Sequence, residues 1–169
     1  MEATTRVSLE VAAPETMPVL GNLLELYQHD LSECFRVDPG PDGRFGYERL
    51  PLYWSEPERR FPFLIRCDSR LAGFALVTLG SPASDDPTVY DVAEFFVLRR
   101  YRRVGVGRQA ARLLWDRFPG RWFVRVFSRN TKALEFWREV VGAYSGNENI
   151  SKEWHVFTFQ NRRNDVRDS

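Results

Sequence analysis

Val92-Ala93-Glu94-Phe95-Phe96-Val97-Leu98-Arg99-Arg100-Tyr101-Arg102-Arg103-Val104-Gly105-Val106-Gly107-Arg108 joins three unlike pieces in seventeen residues. The first is an apolar run carrying one carboxylate, part of a strand expected over Val89 to Leu98. The second is a basic block, and the third is a glycine turn. Beyond it Ala111, Leu114, Trp115 and Phe118 recur at helical spacing, so the stretch reads as strand, turn and helix. Gly105 to Ala110 fits the G-x-G-x-x-A dinucleotide pattern, but that fold needs its first glycine directly after the strand and an acid after the next one. Here six residues, Arg99 to Val104, intervene, and the next strand ends at Phe127-Ser128-Arg129. The better reading is a phosphate-binding turn. Glycine lets the backbone approach an anion, and N–H groups of a helix N-terminus face it. Arg102, Arg103 and Arg108 would add charge, though a plain turn with solvent-facing arginines has the same sequence.

Reading outward, Val7 to Val11 forms a short strand, and Pro14 can open the helix that follows. Met17, Leu20, Leu23, Leu24, Tyr27 and Leu31 give that helix its apolar stripe. Arg36 to Arg60 mixes Pro, Gly and charge with scattered aromatics, the pattern of a long, partly helical excursion that walls a pocket. Phe63 to Cys67 and Leu71 to Leu79 read as strands around a tight turn at Asp68-Ser69-Arg70, and Gly80 to Thr88 as a loop. Trp122 to Phe127 is another strand. Ser128 or Asn130 caps a helix running to about Val141, with Gly142 ending it. Tyr144 begins a last short strand, and Lys152 to Phe159 is a longer one. The order predicts one α/β domain over 5–160 with a central hairpin, parallel pairing of the helix-linked strands, and a polar tail over 161–169.

Composition narrows the class. The chain has 169 residues, 43% hydrophobic and 28% charged, enough for an independent core without metal or disulfide. Aromatics at 14% exclude disorder as the dominant state, and no apolar run approaches the length of a membrane span. Two cysteines and an N-terminus without a basic-then-apolar layout point to the cytoplasm. His29 and His155 stand alone and the cysteines lack ligand spacing, so no metal site is expected. Charge is uneven: residues 1–60 hold eleven acids and six arginines, whereas 99–138 hold twelve bases and two acids. The basic block attracts phosphates. The acidic first third and the lack of a nucleic-acid motif argue against DNA or RNA as partner. Neither a nucleic acid nor a membrane is expected, and a homodimer is left open.

The segment Val97 to Gly107 resembles the acetyl-CoA-binding motif of the GNAT acyltransferase superfamily, Arg/Gln-x-x-Gly-x-Gly/Ala after a strand. Asn130-Thr131-Lys132-Ala133-Leu134-Glu135-Phe136-Trp137 resembles that family's N-x-x-A-x-x-F-Y element, at the family's spacing. The element order agrees over about residues 5–160. The resemblance implies a mixed central sheet of six to seven strands flanked by about four helices. It implies transfer of an acetyl group from acetyl-CoA to a primary amine, on a small molecule or a protein. By motif position, Arg102, Arg103, Val104, Gly105, Val106, Gly107 and Arg108 cradle the phosphates, and Asn130 contacts the co-substrate or caps its helix. The family's oxyanion amides fall here at Phe95, Phe96, Val97 and Leu98, where the central strand splays.

The chemistry also needs a base, because a free alkylamine is mostly protonated at neutral pH. Glu94, a carboxylate in an apolar strand, is the candidate, with a salt-bridged structural glutamate as the other reading. The family's acid is a tyrosine on the last helix, and Trp137 stands there instead. Tyr144 could supply the proton or belong to the core, a water could serve, or the thiolate could leave unprotonated. Trp137 would then line the acyl site. Without an acid, the same fold could serve as a sensor that binds acetyl-CoA without chemistry. For a cationic acceptor, His29, Asp30, Glu33 and Tyr53 offer acids and an aromatic ring, or are an ordinary helix end and packing.

Overall fold

The computed structural model describes residues 5–162. Seven strands appear in chain order: β1 (Val7–Val11), β2 (Arg60–Cys67), β3 (Arg70–Leu79), β4 (Tyr90–Val97), β5 (Gly120–Phe127), β6 (Asn147–Ser151) and β7 (Trp154–Asn161). The helices are α1 (Met17–Leu31), α2 (Leu52–Ser55), α3 (Val106–Arg117) and α4 (Thr131–Gly142). The strands form one mixed sheet ordered β1-β2-β3-β4-β5-β7-β6. Only β4 and β5 pair parallel, because α3 carries the chain back between them. The other pairs are antiparallel. No helix among the described residues is long and apolar enough to cross a membrane.

The β2–β3 turn holds Asp68 at φ +48° and Ser69 at φ +66°, the double positive φ of a hairpin turn matched to strand twist. The Asp68 carboxylate also accepts from the Arg6 backbone N–H at 2.9 Å, tying β1 to the hairpin. The apolar stripe of α1, Leu20, Leu23 and Leu24, packs with Tyr53 of α2 on one face of the sheet against Phe74, Leu76 and Phe96. On the other face α3 and α4 bury Leu114, Trp115, Leu134 and Trp137 against Val92, Trp122, Val124 and Phe157. Gly73 lets the two central strands meet: a Cβ there would lie 2.0 Å from the Phe96 carbonyl oxygen.

One expectation changes and two gain detail. The excursion is turns and extended chain with one four-residue helix, because its prolines and glycines interrupt every longer run. Tyr144 lies in a turn after α4, not in a strand, and β6 begins at Asn147. Asn161 completes β7 and donates its side-chain amide to the Trp115 carbonyl oxygen. Residues 163–169 of the expected tail lie outside the described residues.

Candidate active site

The sheet opens where β4 and β5 part. Their parallel ladder runs only through Tyr90–Trp122, Asp91–Phe123 and Val92–Val124. Beyond it β4 stays with β3 as far as Val97, while β5 stays with β7 as far as Phe127. The register of β3 and β4 shifts at this point, leaving Ala93 as an extra residue between Val92 and Glu94. A bulge of this kind bends a strand and re-aims its side chains. A cavity of about 860 Å³ fills the opening, lined on its strand side by Glu94, Phe95, Val124, Arg125 and Phe127. Leu98 N–H bonds back to Ala72 of β3 at 2.8 Å. By the alternation of an antiparallel ladder, the N–H groups of Phe95 and Val97 therefore turn toward the opening.

Glu94 and Phe96 face α1, whereas Phe95 packs against Phe136 and Trp137 of α4, at ring centroid distances of 5.8 and 5.1 Å. The Glu94 carboxylate accepts hydrogen bonds from Tyr27 at 2.6 Å and Tyr47 at 3.0 Å. Burial raises its pKa above the usual carboxylate value, although both tyrosine bonds and the Arg125 charge pull the other way. Burial and the adjacent Glu94 charge push the Tyr27 and Tyr47 hydroxyls well above 10.0, so both remain donors. Tyr53 is raised by burial and by Glu94 and lowered by Arg60. The carboxylate is thus oriented by two rings, one from α1 and one from the excursion.

The glycine turn follows the same end of β4, past Leu98 and the basic turn over Arg99–Tyr101. Gly105 takes φ +84° as the residue before α3, and Arg103 takes φ +62°. Gly107 lies close under α4: a Cβ there would lie 3.1 Å from the Phe136 ring. Val106 is buried, and Arg103, Val104 and Arg108 are exposed. These residues fit a diphosphate through backbone N–H groups, the positive end of α3 and the Arg103 and Arg108 side chains. Arg108 also pairs with Glu139. Arg102 plays a different part from the one its position implies. Its Nε donates to the Val97 carbonyl at 2.7 Å, its Nη2 meets Asp30 at 2.6 Å, and it lies 5.4 Å from the Phe96 ring centroid.

That clamp corrects the acceptor assignment. Asp30 binds Arg99 and Arg102 rather than facing the cavity. Burial acts to raise its pKa, but the hydrogen bonds from Arg102 and Arg99 prevail and hold it low. His29 and Glu33 are exposed and neither lines the cavity, whereas Tyr53 does. Trp137 and Asn130 line the cavity too. Asn130 also caps α4, accepting from Ala133 N–H at 3.2 Å. Tyr144 is elsewhere: it packs on Phe159 and lines a separate pocket of about 290 Å³ with Arg108, Arg112 and Glu139. The sequence reading missed Tyr27 and Tyr47 as the partners of Glu94, Arg125 beside it, and the aromatic wall of Phe35, Phe127 and Trp154. The one available signal was that a carboxylate in an apolar strand must find donors.

A family model described as Acetyltransferase (GNAT) family matches residues 22–143. No curated protein matches the chain significantly. Solved structures share its fold at low identity. An acetyltransferase from Thermus thermophilus is 18% identical with a TM-score of 0.65, covering 90% of this chain and 94% of its own. An aminoglycoside acetyltransferase crystallised with coenzyme A and kanamycin is 16% identical with a TM-score of 0.66, covering 93% and 95%. The ribosomal-protein-S18-alanine N-acetyltransferase of Escherichia coli is 13% identical with a TM-score of 0.63, again covering 93% and 95%.

Proposed function

The chain belongs to the GNAT acetyltransferase family, and on that premise we propose that it moves an acetyl group from acetyl-CoA to the nitrogen of a primary amine, in the cytoplasm. The observation that carries this reading is a tyrosine-held carboxylate, Glu94, at the point where β4 and β5 part. Acetyl-CoA supplies an activated carbonyl carbon. A C–N bond forms there as the C–S bond breaks, and the amine gives up one proton. Glu94 takes that proton, directly or through a water, and its raised pKa moves it toward the range a base needs. The N–H groups of Phe95 and Val97 face the place where negative charge develops on the carbonyl oxygen. Gly105, Val106, Gly107, Arg103 and Arg108 hold the phosphates, and Asn130 and Trp137 border the acyl arm. With Tyr144 outside the cavity, the sulfur departs as thiolate, its pKa being close to that of cysteine, about 8.5.

A second reading has a specific observation behind it. Trp137 stands where the family has a tyrosine, and no tyrosine of α4 or the turn after it reaches the cavity. A sensor that holds acetyl-CoA without turnover would tolerate this. Two measurements decide: calorimetric titration of acetyl-CoA, and CoA release against a broad panel of amines. Binding with release establishes the transferase, binding without release the sensor, and absence of both refutes the two readings together.

A further inference from the structure

Four arginines line the cavity, Arg49, Arg59, Arg60 and Arg125, and two of them are built in rather than draped over the rim. Arg125 on β5 places Nε and Nη2 on the two oxygens of Asp91, at 3.1 and 2.9 Å. Asp91 is fully buried and also accepts from the Ser81 hydroxyl. Arg60, at the start of β2, puts Nε on Glu56 at 2.7 Å and stacks its guanidinium 5.6 Å from the Tyr53 ring centroid. Each keeps about a quarter of its side chain accessible, 26% and 23%. For Nη1 of Arg125 no described residue supplies an acceptor. A guanidinium oriented by a buried carboxylate, with a donor edge left at a cavity wall, is preorganised to receive an anion.

Two of the acids at the outer part of the same cavity are already engaged. Glu56 is held by Arg60, and Asp86 accepts from the N–H and hydroxyl of Thr88 at 2.9 and 2.7 Å. Asp85 lies on the 80–88 loop at the rim. Glu94 is the inner carboxylate. Glu94, Tyr53, Arg60 and Arg125 all line this one cavity, so the opposite charges share its walls. An alkylamine alone would engage Glu94 and make no use of the Arg125 and Arg60 guanidinium edges at the same cavity wall.

We propose that the acceptor is a small amine that also carries an anionic group, a carboxylate or a phosphate. Its amine lies at Glu94 and its anion on Arg125 and Arg60. This rests on the acetyl transfer proposed above and names its substrate class. The test measures CoA release from acetyl-CoA with three matched sets: amino carboxylates, aminoalkyl phosphates, and the same amines without the anion. At least one anionic set is expected to exceed its plain counterpart about tenfold or more in kcat/KM, and which one leads identifies the anion. Arg60→Gln is expected to raise KM for that set at least tenfold more than for plain amines, with little change in kcat. Arg125→Lys, which keeps a cation for Asp91 but not the fork, is expected to act in the same direction. Thermal melting confirms that both variants are folded. Plain amines serving as well as anionic ones, or both variants affecting all sets alike, would overturn the proposal. If no amine releases CoA, the transfer reading fails. Calorimetric binding of an anionic amine, weakened by Arg60→Gln, would then still uphold the recognition, and absence of that binding would end it.

Discussion

Replacing Glu94 by Gln removes one proton acceptor and almost nothing else. The two tyrosines reach different oxygens, Tyr27 at 2.6 Å and Tyr47 at 3.0 Å. A glutamine keeps one carbonyl oxygen for one hydroxyl, and the other hydroxyl can rotate to accept from the amide, so rearrangement costs about 1 kcal/mol or less. Burial disfavours the charged carboxylate in the fold. Its folded pKa lies above the unfolded value near 4.5, so stability falls as pH rises from the unfolded pKa through the folded one. The variant should therefore melt no lower than the wild type near neutrality, and the difference should vanish below the unfolded pKa. Catalysis should respond in the opposite direction. A positioned base contributes about 10²- to 10⁴-fold, or about 2.7–5.4 kcal/mol of barrier. CoA release measured across pH should show kcat/KM reduced by that factor, with the acid limb of the profile abolished and acetyl-CoA affinity retained. A folded variant that keeps activity within about threefold of wild type, with the same pH profile, would refute the assignment. Glu94 would then be a structural anchor for Tyr27 and Tyr47.

Asp91→Asn leaves the buried end of Arg125 short of its counter-charge and should cost about 3–5 kcal/mol in chemical denaturation; a loss below about 1 kcal/mol would contradict the ion pair. Asp30→Asn should release the basic turn from α1 at a cost of about 1 kcal/mol, because the arginines it binds are partly solvated. The Asp30 carboxylate has a lowered folded pKa, so its contribution is present above the unfolded value of 3.8 and lost as pH falls through the folded one. Melting temperature against pH should converge for wild type and variant in acid. Gly73→Ala must push apart β3 and β4 to clear the Phe96 carbonyl, and should cost about 1–3 kcal/mol or more by urea titration. Gly105→Glu puts a side chain at φ +84° and an anion at the phosphate turn, and should abolish acetyl-CoA binding in calorimetry while the fold survives.

The order of elements was legible in the sequence because it depends on local signals. An apolar run marked β4, alternation marked β5, helical spacing marked α1, α3 and α4, and a capping residue at Ser128 or Asn130 together with the glycines marked where helices begin and end. The two family motifs were legible for the same reason, since each is a contiguous run along the chain. The excursion was legible only as irregular chain, because its conformation depends on contacts across the fold, such as Glu25 accepting from the N–H groups of Phe45 and Gly46. Asp30 and Tyr144 show the limit most clearly. An acid after an apolar stripe and a tyrosine near the last helix carry no local mark of direction. Asp30 was claimed by Arg99 and Arg102, 69 and 72 residues away, and Tyr144 fell on the far side of α4 from the cavity.

The sequence by itself determined that Glu94 lies in an apolar strand, that this strand feeds a glycine turn, and that the turn opens a helix. Those are properties of neighbours along the chain. Only the tertiary structure decided that the strand parts from β5 just before Glu94, that Tyr27 and Tyr47 orient its carboxylate, and that Arg125 stands beside it on a buried aspartate. These hydrogen bonds join residues 34 to 67 positions apart. They are fixed by how two helices, a loop and a bulged sheet pack, which no local pattern encodes.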